Sequence, residues 1–165
     1  MDHQPLEYIC LEIQKILIDK NQTLSTAESC TGGRIASAIT AIPGSSGHFQ
    51  GGIVAYQNEI KISVLHVSAK TIDEHDVVSE DVVREMVLGA CNFFNTDYAI
   101  ATSGYAGPGG GSEKVSQGTI CIAFGNASHI HSFCIQNDNG RIENVDNATY
   151  QALNAFLTYL KSLHS

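Results

Sequence analysis

The chain has 165 residues, 43% of them hydrophobic, and a formal net charge of -8 from 17 acidic and nine basic residues. That content supports one compact core, so residues 1–165 are expected to form a single domain. Its few cations are not clustered, which argues against a nucleic acid or an anionic membrane surface as partner.

Apolar residues Leu6, Ile9, Ile13, Ile16 and Leu17 recur at helical spacing and predict a helix to about Asp19. A short strand through Thr23 to Ala27 follows, then a turn at Ser29 and a helix over roughly 33–42. Pro43-Gly44-Ser45-Ser46-Gly47 breaks that helix. Gly52 to Tyr56 reads as a buried strand, followed by a short helix carrying Ile60, Lys61 and Leu65. Another short helix is expected over 68–75. Ser79 then suits an N-cap, with Glu80 and Asp81 in the first turn of a helix reaching about Phe94. Tyr98 to Thr102 is a near-continuous apolar strand that runs into the glycine-rich stretch Ser103 to Gly111. Thr119 to Phe124 and His129 to Ile135 read as two strands joined at Gly125-Asn126, a hairpin signal. The last helix carries Ile142, Val145, Thr149, Leu153, Phe156, Leu160 and Leu163 on one stripe. Its apolar character also suits self-association into a homo-oligomer. The expected fold class is α/β: a three-layer α/β/α single domain with a mixed central sheet.

No apolar stretch approaches the length of a membrane span. The start Met1-Asp2-His3-Gln4-Pro5 lacks the basic and apolar parts of a secretory signal. The five cysteines are scattered and form no C-x-x-C pair. A cytoplasmic protein with reduced thiols is therefore expected. The seven histidines show no H-x-x-x-H pair, so neither a metal nor another cofactor is assigned.

Three polar or glycine-rich blocks, 28–33, 56–61 and 103–111, each follow a predicted strand and could meet at one edge of the sheet. In the first, Ser29 stands where a strand gives way to a glycine-marked helix. The amides of Thr31, Gly32 and Gly33 would be the unpaired donors of the first turn, aimed at negative charge beside Ser29. A nucleophile next to oxyanion donors suits acyl transfer. The same segment also fits an ordinary βα turn with a hydroxyl cap. Lys61 sits among apolar neighbours; burial lowers a lysine pKa, and a neutral amine can deprotonate a serine, the Ser-Lys variant of the activated nucleophile. A solvated surface lysine is the alternative. Tyr56 suits either a core cap or a substrate contact, and Glu28 either pairs with Lys61, orients Ser29 or is solvated. The glycine-rich stretch fits neither a Walker loop nor a dinucleotide fingerprint.

Thr26-Ala27-Glu28-Ser29-Cys30-Thr31-Gly32-Gly33, Pro43-Gly44-Ser45-Ser46, Tyr56-Gln57-Asn58-Glu59-Ile60-Lys61 and Ala106-Gly107-Pro108-Gly109-Gly110-Gly111 together resemble the CinA C-terminal domain family. Enzymes of that family are nicotinamide mononucleotide deamidases, which hydrolyse the carboxamide to nicotinate mononucleotide and ammonia; other members are competence- or damage-associated. The resemblance implies a small-molecule pyridine nucleotide as partner, a serine-lysine pair at Ser29 and Lys61, and an assisting tyrosine at Tyr56. It puts a hydroxyl at Ser103 and a phosphate or ribose contact at Arg141. Ser45, Ser46, Gly107, Gly109 and Gly110 join Thr31, Gly32 and Gly33 as substrate-binding candidates. Two departures stand out: Val145 replaces a second arginine, and Val115-Ser116-Gln117 replaces Lys-Pro-Val, with Lys114 one place early. An inactive module that binds a partner or senses a nucleotide is the competing expectation.

Overall fold

The computed structural model describes residues 4–163. Along the chain run α1 (Leu6–Asp19), β1 (Leu24–Glu28), α2 (Arg34–Thr40), a 3-10 turn (Ser45–Gly47), β2 (Phe49–Val54), α3 (Asn58–Leu65) and α4 (Ala69–His75). Then come α5 (Glu80–Phe94), β3 (Tyr98–Gly104), β4 (Thr119–Gly125), β5 (Ile130–Gln136) and α6 (Arg141–Ser162). The sheet order is β2-β1-β3-β4-β5. β1 runs parallel to both β2 and β3, whereas β4 and β5 are antiparallel additions, so the sheet is mixed as expected.

Strand alternation decides the layers. On β3 and β4, Ile100, Ile120, Ile122 and Phe124 face a core shared with α1, α2 and α6. Ala99, Ala101, Cys121 and Ala123 face the opposite core with α5 and Leu65 of α3. One face thus presents large side chains and the other small ones, which lets α5 lie close to the sheet. At Gly89 a Cβ would sit 2.0 Å from the Leu65 carbonyl oxygen, so α3 can pack on α5 only because residue 89 is glycine. That contact fixes the helix that carries Lys61.

Ser79 caps α5, accepting from the Val82 amide at 3.2 Å. Along α6 the predicted stripe holds from Val145 to Leu160, but Ile142 and Leu163 at its ends are 68% and 46% exposed. No helix among the described residues is long and apolar enough to cross a membrane.

One expectation is corrected. Cys121 and Cys134 are joined as a disulfide, while Cys10, Cys30 and Cys91 are free and buried. The cause is register: Cys121 and Cys134 are direct partners across the β4–β5 hairpin, a proximity that a search for C-x-x-C spacing does not detect.

Candidate active site

With β2 and β3 flanking β1 on opposite sides, the C-terminal ends of the three parallel strands deliver their following loops to one edge, where open α/β sheets bind ligands. A cavity of about 430 Å³ lies there, lined by Ser29, Cys30, Tyr56, Asn58, Lys61, Val77, Val78, the 103–110 segment and Arg141. Its size is within the range of small-molecule sites. Among the described residues no carboxylate lines it, and the cations that do are Lys61 and Arg141.

Lys61 is 1% exposed. Its Nζ donates to Ser29 Oγ at 2.9 Å, to the Ala55 carbonyl at 2.8 Å and to the Tyr56 carbonyl at 3.3 Å. An ammonium has three hydrogens for these three acceptors. A neutral amine can give two hydrogens to the carbonyls and turn its lone pair to the serine hydroxyl, so both protonation states are satisfied. Burial lowers the Lys61 pKa from its ordinary value to about 8. Burial also pushes the neighbouring Cys30 thiol up to about 12, which keeps it protonated beside Ser29.

Tyr56 and Arg141 meet at the rim. Arg141 donates from Nη2 to the Tyr56 hydroxyl and from Nη1 to the Gly107 carbonyl, both at 2.9 Å. Asn144, one turn into α6, donates to the Ala106 carbonyl at 3.0 Å. The glycine-rich segment is thereby tied to α6 by two side chains. Ser103 is buried and donates its hydroxyl proton to the Val77 carbonyl at 2.8 Å, leaving its oxygen free only to accept.

The β1–α2 turn departs from expectation. α2 begins at Arg34, and its Ile35 and Ala36 amides donate to the Glu28 carboxylate at 2.9 and 3.0 Å. Thr31 donates to the same carboxylate at 2.7 Å, and its hydroxyl also contacts that of Thr102. Gly32 donates its amide to the Ser29 carbonyl at 3.1 Å. A buried anion from the protein itself thus occupies the positive end of α2. Thr31, Gly32 and Gly33 do not line the cavity, and no ion pair joins Glu28 to Lys61.

Ser45 and Ser46 are also absent from the cavity, for a topological reason. They precede β2, whereas the cavity lies beyond its C-terminal end. Six residues of strand, roughly 16–20 Å, separate the two places. Ser29, Lys61, Tyr56, Ser103, Gly107, Gly109, Gly110 and Arg141 are brought together.

Sequence reasoning missed Cys30, Asn58, Val77, Val78 and Tyr105 as lining residues, and Asn144 as a support. Asn144 had a weak signal in its place beside Val145 of the predicted stripe, and the structure shows it buried. Val77 and Val78 carried no signal, since they join two helices far from the glycine-rich stretch in sequence. Val145, where the second arginine was expected, is 2% exposed and packs in the core.

Comparison with known proteins identifies the family and its fold. The sequence model of the CinA C-terminal domain family matches residues 7–160. The chain belongs to that family. It is 49% identical over 120 residues to a CinA-like protein of Fervidobacterium nodosum, covering 73% of this chain and 29% of that relative. It is 46% identical over 125 residues to the nicotinamide-nucleotide amidohydrolase PncC of Shewanella oneidensis, covering 76% of this chain and 30% of the relative. The chain therefore spans less than a third of the length of either protein. Among solved structures it resembles the competence damage-inducible protein A of Klebsiella pneumoniae subsp. pneumoniae MGH 78578 with a TM-score of 0.92. That pair is 34% identical, covering 96% of this chain and 98% of the other. A CinA superfamily protein from Escherichia coli gives a TM-score of 0.91 at 30% identity, covering 95% of this chain and 91% of the other.

Proposed function

We propose that this chain is an amidohydrolase that converts nicotinamide mononucleotide to nicotinate mononucleotide and ammonia, with Ser29 as nucleophile and Lys61 as its base. The observation that carries this reading is the 2.9 Å contact between the Lys61 amine and the Ser29 hydroxyl inside a cavity that no carboxylate of the described residues lines. Membership of a family in which the Shewanella oneidensis relative is named for this activity supports it.

With a pKa near 8, roughly one Lys61 in ten is neutral at pH 7. The neutral amine takes the Ser29 proton as Oγ bonds to the carboxamide carbon. The carbonyl oxygen becomes an oxyanion, for which the backbone amide of Cys30, the residue after the nucleophile, is the candidate donor. The Lys61 ammonium then returns its proton to the leaving nitrogen, the C–N bond breaks, and ammonia departs from an ester on Ser29. Water, deprotonated by Lys61, attacks that ester and releases the acid while Ser29 regains its proton. Ser103, able only to accept at its oxygen, is suited to receive a hydrogen bond from the carboxamide nitrogen. Arg141 at the rim gives the phosphate or ribose a cation, exchanging its contact with Tyr56.

The test is ammonia release from nicotinamide mononucleotide by purified protein. Activity that disappears in Ser29→Ala and Lys61→Met supports the proposal. Full activity in Ser29→Ala, or calorimetric binding without ammonia release in folded wild type, overturns it; the latter result would instead support a nucleotide sensor.

A further inference from the structure

The junction between two helices reaches the cavity through Val77 and Val78. Between α4 and α5, Asp76 has φ 77° and ψ 153°, a backbone region populated almost only by glycine. A non-glycine residue persists there when its surroundings over-determine it, and the Asp76 side chain is densely bonded. Its Oδ1 accepts from the Val78 amide at 2.9 Å and from the Tyr105 hydroxyl at 3.0 Å. Its Oδ2 accepts from the Ser112 hydroxyl.

Tyr105 and Ser112 are the two stems of the glycine-rich loop. Between them lie Ala106 to Gly111, of which Gly107, Gly109, Gly110 and Gly111 have positive φ. Such a segment has unusual backbone freedom and needs external fixation to keep one shape. Both stems are themselves well anchored. Tyr105 exchanges backbone bonds with Thr119 and Gly118, at 2.9 and 2.7 Å. Ser112 Oγ accepts from the Lys114 and Val115 amides at 3.2 and 3.1 Å, so its one proton is free to go to Asp76. Lys114 adds a brace, donating from Nζ to the carbonyls of Asp73 and Glu74 at the end of α4, at 3.0 and 2.9 Å. From the other side, Arg141, Asn144 and Gln117 hold Gly107, Ala106 and Gly109.

We propose that Asp76 is a positioning residue, whose carboxylate clamps both stems of the glycine-rich loop and so holds the loop backbone as a wall of the Ser29–Lys61 cavity. Its consequence for turnover rests on the amidohydrolase reading; the clamp itself does not. Asp76 touches neither Ser29 nor Lys61, so its effect falls on how well the non-reacting part of the substrate is held.

The strained backbone supplies a discriminating variant. Asp76→Gly relieves the unfavourable φ and ψ while deleting the carboxylate, so the fold is kept as the clamp is lost. Amide hydrogen exchange over 106–111 should rise about ten- to a hundredfold, with the thermal midpoint unchanged or raised and the slowest core amides unaffected. With nicotinamide mononucleotide, KM should increase about tenfold and kcat change by less than about twofold. Asp76→Asn keeps an acceptor for Tyr105 but offers a donor to a Ser112 oxygen already occupied by two amides, so it should fall between wild type and Asp76→Gly. Unchanged exchange in the loop overturns the clamp, as does a loss of protection spread evenly over the chain. Greater loop exchange with KM unchanged in an active enzyme overturns the positioning role. If the wild type releases no ammonia, the functional reading has failed, and the exchange measurement still decides the clamp.

Discussion

The two ends of the parallel strands differ in their buried polar groups: both hold bonded ones, Ser25 with Thr96 among them, but unpartnered ones collect at the N-terminal end. At the C-terminal ends, Glu28, Lys61, Thr31, Thr102 and Ser103 are all buried, and each has hydrogen-bond partners. Before the N-terminal ends, His48 is 1% exposed and neither ring nitrogen has a protein partner among the described residues. Gln22 nearby bonds Tyr98 through Nε2 but leaves its Oε1 unpaired. Burying polar groups is costly unless they are bonded, so a densely satisfied network marks the end where side-chain position matters. Removing a group at the C-terminal end should therefore cost activity or stability, and removing an unpartnered one such as His48 at the other end should cost little.

The largest effect should come from the Ser29–Lys61 pair. Ser29→Ala or Lys61→Met should lower kcat/KM for amide hydrolysis by about 10³-fold or more, read as ammonia release. Lys61→Arg should not rescue it, because a guanidinium keeps its proton. The neutral amine is the active form, so kcat/KM should rise with pH and level off above about 8. A profile flat from pH 6 to 9 would break the assignment of Lys61 as base.

Glu28 comes next, on stability. Glu28→Ala strips the Ile35 and Ala36 amides and the Thr31 hydroxyl of their acceptor in a buried setting. A loss of about 3–5 kcal/mol is expected in urea denaturation, with Glu28→Gln intermediate because one oxygen remains. A loss under about 1 kcal/mol would show that satisfaction at this end is not structural.

Glu28 also shows how far the sequence could be read. Local patterns carried the element order, because 3.6-residue and two-residue periodicities record which face is buried. Strand-then-loop order made it possible that the blocks holding Ser29, Lys61 and Ser103 meet at one edge, and the family resemblance singled out the pair. What one residue's side chain does to a neighbour's backbone left no such trace. Glu28 was read as a partner of Lys61, an orienter of Ser29 or a solvated carboxylate, and only the turn geometry shows it accepting from the first amides of α2. Ser45 and Ser46 were assigned by motif without asking which end of β2 they precede. The disulfide was not read either: strands expected to end at Phe124 and to start at His129 leave the register open, and Cys121 falls opposite Cys134 only because Gly125 pairs with Ile130.

That disulfide sharpens the comparison at the edge of the site, because Cys121 is also the register partner of Ser103. Closing a loop over a sequence separation of 13, it should contribute about 2–3 kcal/mol. A reductant should lower the thermal midpoint of wild type and leave Cys134→Ser unmoved. Equal midpoints with and without reductant would deny the brace.

The smallest effect is expected at His48, and its sign tests the other half of the comparison. Burial lowers the His48 pKa in the folded protein below its ordinary value near 6.5. Above that value both folded and unfolded chains hold the ring neutral, and His48 adds no pH dependence. As pH falls below it, the unfolded chain binds a proton that the folded chain refuses, so stability drops until the lower folded pKa is reached. The slope from one such group is at most about 1.4 kcal/mol per pH unit. Because other groups titrate in the same range, the informative quantity is the difference between wild type and His48→Leu in urea midpoint from pH 7 to pH 5. Leu cannot be protonated and abandons no protein hydrogen bond, so its stability at pH 7 should lie within about 1 kcal/mol of wild type and fall less steeply in acid. Parallel pH curves, or a loss at pH 7 as large as that of Glu28→Ala, would mean that His48 has a role the unpartnered ring does not reveal, and the contrast between the two ends would fail.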